Sequence, residues 1–96
     1  MTARRVRIQR RAQAHLHAAY DWYERQRPGL GREFLDAVDA CLARIAENPA
    51  VYPVYRERIQ RATTHRFPYL VFYVADAEEA VILAVLHARR DPRRWP

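Results

Sequence analysis

The sequence contains no lysine and no serine, only two glycines and a single cysteine. Without serine there is no serine nucleophile. Two glycines, Gly29 and Gly31, are too few for a glycine-rich phosphate loop. One cysteine, Cys41, excludes a disulfide framework within the chain and suits a reducing compartment. It falls on the apolar stripe of a helix, where a packed thiol is the expected role. No apolar run approaches the roughly 20 residues of a membrane-spanning helix. The arginine-rich N-terminus lacks the apolar segment of a signal peptide. The expectation is a cytoplasmic protein with no membrane partner. His15 and His17 are two apart on a helix and so face different ways, which makes a poor metal pair. Neither a metal nor a cofactor is expected.

What is present is a chain of 96 residues, half of them hydrophobic. That length predicts one domain over residues 1–96, with a modest core two layers thick. The net charge is +6, and all 17 basic residues are arginine. Between residues 12 and 50 the acids Asp21, Glu24, Glu33, Asp36, Asp39 and Glu47 outnumber the arginines. The flanking segments therefore carry the positive excess, which favours an anionic partner, nucleic acid or acidic protein.

Residues 65–95 organise the rest. Two apolar runs, 67–75 and 80–86, are joined by the acidic link 76–79. Both phases of each run are apolar, which predicts central strands covered on both faces. Residues 4–9 alternate as a short strand with one polar face. Residues 10–26 change to a helical period, with Leu16, Ala19, Tyr20 and Tyr23 on one stripe and Trp22 beside it. Pro28-Gly29 breaks that helix. A second helix, residues 30–47, carries Leu30, Phe34, Val38, Cys41, Leu42 and Ile45, and Asn48-Pro49 ends it. Residues 50–55 read as an aromatic loop. Residues 56–61 read as a charged edge strand, and 89–96 as a basic tail ending in Trp95, mobile at Arg93 and Arg94. The order β-α-α-β-β-β predicts an α+β, two-layer fold: a helical hairpin packed on a mainly antiparallel four-stranded sheet.

This order, with specific residues, resembles the RelE/ParE superfamily of type II toxin–antitoxin toxins. The residues that carry the likeness are Asp21-Trp-Tyr, Ile45-Ala-Glu-Asn-Pro, Tyr52-Pro53, Ile59-Gln-Arg61, Arg66-Phe-Pro-Tyr69 with Tyr73, and Leu86-His87-Ala-Arg-Arg90-Asp-Pro92. The Arg-Phe-Pro-Tyr and His-Ala-Arg-Arg-Asp-Pro segments look most like ParE-like and plasmid-stabilisation members. The resemblance implies a RelE/ParE-like fold, a growth-inhibiting toxin and a cognate antitoxin. ParE-like members inhibit DNA gyrase; RelE-like members cut mRNA at the ribosome.

Cleaving RNA without a metal needs a base for the 2′-hydroxyl, an acid for the leaving oxygen and cations for the phosphorane charge. Arginine, with a pKa above about 12, supplies only the last. RelE-like members use lysines and a C-terminal tyrosine; here lysine is absent and the C-terminal aromatic is Trp95. A YoeB-like arrangement would use Glu57 as base, Arg66 as phosphate clamp and His87 as acid. The aromatic that follows the histidine in those members is Ala88 here. Arg61, Arg66, Arg89 and Arg90 are the candidates for nucleic-acid or target binding. Tyr52, Tyr55, Arg56 and Arg58 are the candidates for antitoxin binding, by strand addition. A third reading is an inactive family member kept as a binding module.

Overall fold

The computed structural model describes residues 3–90 and 92–96. Asp91, one residue of the C-terminal motif and a candidate ion-pair partner for the arginines, lies outside them. Two long strands lie at the centre of the sheet, β4 (Tyr69–Ala75) and β5 (Glu79–His87). They pair antiparallel, with Tyr69 opposite His87 and Ala75 opposite Ala80. A bulge between Phe72 and Tyr73 shifts the register by one residue. Asp76 makes the turn without glycine: its Oδ1 accepts from the backbone N–H groups of Glu78 and Glu79, both at 2.8 Å. Those two bonds hold the Asp76 carboxyl below its ordinary pKa.

The remaining elements are β1 (Arg5–Ile8), α1 (Arg10–Gln26), α2 (Leu30–Glu47), β2 (Val54–Arg56) and β3 (Ile59–Thr63). The sheet has five strands in the order β1-β5-β4-β3-β2, with β1 parallel to β5 and the other pairs antiparallel. The sequence predicted four. The segment read as one edge strand, residues 56–61, is a hairpin instead. Arg56 pairs with Ile59 across a two-residue turn in which Glu57 has φ of 54°. A left-handed, non-glycine turn leaves no signature in the sequence. Arg61 thereby moves from an edge to an interior strand.

The helical hairpin covers one face of the sheet. α2 buries Phe34, Val38, Cys41 and Ile45 of the expected stripe, and leaves its Leu30 and Leu42 half-buried. α1 buries Ala12, His15, Ala19 and Tyr23, while Leu16 and Tyr20 are only half-buried. The stripe is rotated towards small residues because α1 runs close to both α2 and β5. At Gly31 a Cβ would meet the Tyr20 ring at 2.8 Å. Glu24 reaches across from α1 and accepts from the N–H groups of Gly29 and Gly31, both at 3.0 Å, capping α2 with a carboxylate.

Among the described residues no α-helix covers the other face. Leu70, Phe72, Ala84 and Leu86 form a second apolar cluster, closed by Tyr55, Ile59 and Trp95. The Trp95 ring centroid lies 5.6 Å from that of Phe72 and 5.8 Å from that of Tyr55. The expectation of a mobile tail is therefore corrected. Pro92–Arg94 forms a single 3₁₀ turn, Arg11 donates to the Arg94 carbonyl, and Trp95 covers the sheet. Two-faced apolar strands require such a cover, and here the C-terminus provides it.

Tyr73 is fully buried under α2, and its hydroxyl donates to the Pro49 carbonyl at 2.6 Å. Burial, with smaller contributions from Tyr52 and Cys41, pushes its pKa from an ordinary value near 10 up to about 12. A raised phenol pKa means that the unfolded chain loses the proton first. The stabilisation is whole below pH 10 and is lost as pH rises from 10 through about 12. Urea titrations across that window should show stability falling by about 2–3 kcal/mol from this group. Tyr73→Phe should remove this part of the decline.

Candidate functional site

The C-terminal end of β5 and the beginning of β4 define one end of the sheet. Tyr69 and His87 sit opposite each other there, ring centroids 5.4 Å apart. The strands bring in the chain's basic segments from both sides: the β3–β4 loop carries Arg66, and the residues after β5 carry Arg89 and Arg90. Behind them lies an aromatic cluster. Phe34 contacts Tyr23, Phe67 and Tyr69 at centroid distances of 5.2, 5.5 and 5.0 Å.

Arg66 has φ of 75°, an uncommon conformation for a non-glycine residue. It points its guanidinium at α2, where Nη2 donates to Glu33 at 2.6 Å, and lies over the Phe67 ring. Arg27 donates to the other oxygen of Glu33 at 3.0 Å. Hydrogen bonds from Arg66 and then Arg27 hold the Glu33 carboxyl below its ordinary pKa. The Arg66 pair joins the β3–β4 loop to α2, and its charge is already matched.

Arg90 is held differently. Its guanidinium lies over the Trp22 ring at 5.3 Å and donates to the Tyr69 hydroxyl at 3.3 Å. Burial, then Tyr69, raises the pKa of the neighbouring Tyr23, with Arg90 acting the other way. His87 Nδ1 accepts from the backbone N–H groups of Arg89 and Arg90, at 3.1 and 3.2 Å. That bond fixes the turn after β5 and places the neutral ring's proton on Nε2.

A cleft of about 320 Å³ opens between α1 and this part of β5. It exists because β1 ends opposite Ile82, and among the described residues no strand pairs with the rest of that β5 edge. α1 closes the gap only in part, since it presents Ala14 and Ala18 there. His15 takes over one strand function: its Nδ1 accepts from the Val85 N–H at 3.2 Å. Trp22, beside the stripe of α1, is 40% exposed at the rim.

The other expected site residues lie elsewhere. Glu57 is in the β2–β3 turn, beside the exit of β4, and the Arg58 charge acts on Asp76 there. From the level of Tyr73, opposite Gln60, to Tyr69, opposite His87, is four strand residues, about 13 Å. Glu57 is farther still. Arg61 packs on the second face, 5.1 Å from the Tyr55 centroid and 5.4 Å from that of Trp95. Arg89 is exposed. Tyr52 and Tyr55 face opposite sides of the sheet. Tyr52 accepts from Arg44 at 2.8 Å on the helix side, and Tyr55 lies against Phe72 on the other. Arg56 and Arg58 are exposed beside the edge strand β2.

His15, Trp22, Tyr69 and Arg94, which line the cleft, were not singled out by sequence. The one available signal was Trp22, a large aromatic beside the apolar stripe rather than on it. Among the described residues no helix is long and apolar enough to cross a membrane.

A solved structure described as the chromosomal ParDE TA system from P. aeruginosa has the same fold. It superposes with a TM-score of 0.79 at 18% identity, over 91% of this chain and 98% of that one. No curated protein matches the chain. The family model "ParE toxin of type II toxin-antitoxin system, parDE" matches residues 6–92. That span takes in both helices, all but the first residue of the sheet and the His87–Pro92 motif, and the chain belongs to the ParE toxin family of type II toxin–antitoxin systems.

Proposed function

We propose that this toxin acts by binding and inhibiting DNA gyrase, without bond-making chemistry of its own, and that an antitoxin neutralises it. One observation supports this above others. The groups that would have to cooperate in RNA cleavage are separated. Glu57 is at one sheet end and His87 at the other, while Arg66 is tied to Glu33. A base and an acid acting on one phosphate must both lie within hydrogen-bond reach of it. Lysine is absent, and Trp95, at the position of a C-terminal tyrosine, is a packing residue on the second face.

Membership of the family implies an antitoxin partner. The β2 edge is the surface that favours it. Val51 and Val54 are 59% and 60% exposed, and Arg56 and Arg58 flank them. An acidic-apolar chain adding as a sixth strand would cover the valines and match the arginines. For the target, Arg89 and Arg90 at the end of β5 are the favoured cations, since Arg66 is paired with Glu33 and Arg61 packs on the second face.

Glu57→Gln tests the mechanism at low structural cost, since Glu57 is an exposed turn residue. Growth arrest on expression should be unchanged, within about twofold in the inducer needed. A ribonuclease that used Glu57 as its base would lose on the order of 10²–10⁴ in rate and would not arrest growth.

A further inference from the structure

The residues between α2 and the β2 edge are held more firmly than a connecting loop requires. Gln60 donates from Nε2 to the Pro49 and Tyr52 carbonyls, at 2.7 and 2.8 Å. The buried Tyr73 hydroxyl donates to the same Pro49 carbonyl at 2.6 Å, and the Val51 N–H donates to the Asn48 carbonyl at 3.1 Å. On this fixed support stand Val51 and Val54, the two most exposed large apolar side chains among the described residues. Loops and their tips are ordinarily mobile. Two outward valines held rigidly beside an unpaired strand edge form a surface organised in advance for cover.

Arg44 borders the same support from α2. Its Nε donates to the Tyr52 hydroxyl at 2.8 Å, and its Nη2 is buried with no partner among the described residues. A buried, unpaired donor on a cation is costly, and packing alone gives no reason to keep it. Arg7, Arg27, Arg32 and Arg66 each pair with a carboxylate; among the described residues Arg44 pairs with none. With Nε bonded and Nη2 enclosed, Nη1 is the donor left for a partner. Ala40 and Ala43, exposed on the same stripe of α2, keep the approach to it open. Resting on the reading of the β2 edge as the antitoxin surface, we propose that the antitoxin segment crosses from β2 on to α2 and sets a carboxylate on Arg44, beside apolar side chains that cover Val51 and Val54. Arg56 and Arg58 are exposed rim charges that steer the approach. Arg44, half-buried and fixed by Tyr52, makes the selection. A nucleic-acid backbone is held through its phosphates and sugars and offers nothing to cover two valines.

The test uses ¹⁵N-labelled protein and two short capped peptides, one alternating valine with glutamate and the other valine with glutamine. Both should shift the Val51 and Val54 amide signals. The glutamate peptide should also shift the Arg44 Nε–H signal, assigned with Arg44→Lys, and the glutamine peptide should not. The glutamate peptide should bind at least about tenfold more tightly. Arg44→Gln should remove most of that preference, while Arg58→Gln should change it by less than about twofold. Val51→Asn with Val54→Asn should weaken both peptides alike; if binding is unchanged, the edge reading fails. If binding weakens there, yet a folded Arg44→Gln protein keeps the glutamate preference, the edge reading stands and the role of Arg44 is overturned. Where Arg44→Gln does not fold, the unaltered protein decides: equal Arg44 Nε–H shifts with the two peptides overturn the proposal. No shift at these positions with either peptide would overturn both readings, whether or not duplex DNA produces one.

Discussion

Replacing Phe34 by alanine should remove about 3–5 kcal/mol of folding stability. Phe34 is fully buried at the junction of α2, α1 and the start of β4. Its ring stacks on Tyr23 and meets Phe67 and Tyr69 edge-on. Each aromatic contact adds about 0.5–1.5 kcal/mol beyond the area it buries. Three rings surround the position, none of which can collapse into the space without leaving another contact, so the cavity stays open. For a chain of 96 residues the whole stability is on the order of 5–15 kcal/mol. The variant should therefore be marginally folded, with a urea midpoint reduced by a large fraction, and growth arrest should fall with the folded population. Phe34→Leu, which keeps most of the volume, should cost less than half as much.

Trp95→Ala should cost about 2–3 kcal/mol and leave an apolar surface in water. The second face of the sheet is a small cluster, and Trp95 is its largest cover. Its removal exposes Phe72 and Leu86 and takes a ring from beneath Arg61. The check has two parts: a lower urea midpoint, and stronger binding of a dye that reports apolar surface. Were the C-terminus a loose basic tail, neither would change. Trp95→Phe should be milder for a second reason. The Trp95 indole N–H is buried without a partner among the described residues, so phenylalanine keeps the ring contact and removes an unsatisfied donor.

The two-faced apolar pattern of β4 and β5 already required a cover on both sides, and the 3.6-residue stripe of α2 named Phe34, Val38, Cys41 and Ile45, while Leu30 and Leu42 of that stripe are only half-buried. These features were legible because periodicity and burial are local statements. Three others were not. The Glu57 turn reads as part of a charged strand, because a left-handed conformation at glutamate has no sequence signature. Trp95 reads as tail, because one aromatic after four arginines shows no period. His15 reads only as half of a poor metal pair, yet it is buried and accepts from a β5 N–H beyond the point where β1 stops at Ile8. The site was half legible. The sequence left open whether Arg61, Arg66, Arg89 and Arg90 meet; Arg66, His87 and Arg90 share one end of the sheet, and Arg61 packs on its second face. Which of them is already neutralised depends on Glu33 and Trp22, residues distant in sequence whose approach no local rule encodes.

The central claim is that this ParE-family toxin inhibits gyrase by binding and does not cut RNA. The most direct measurement is a supercoiling assay with purified gyrase and relaxed plasmid, run beside translating ribosomes with a defined mRNA. Supercoiling should stop as toxin approaches the gyrase concentration, and the mRNA should remain whole. Unimpeded supercoiling with mRNA cut at the ribosome would contradict the account.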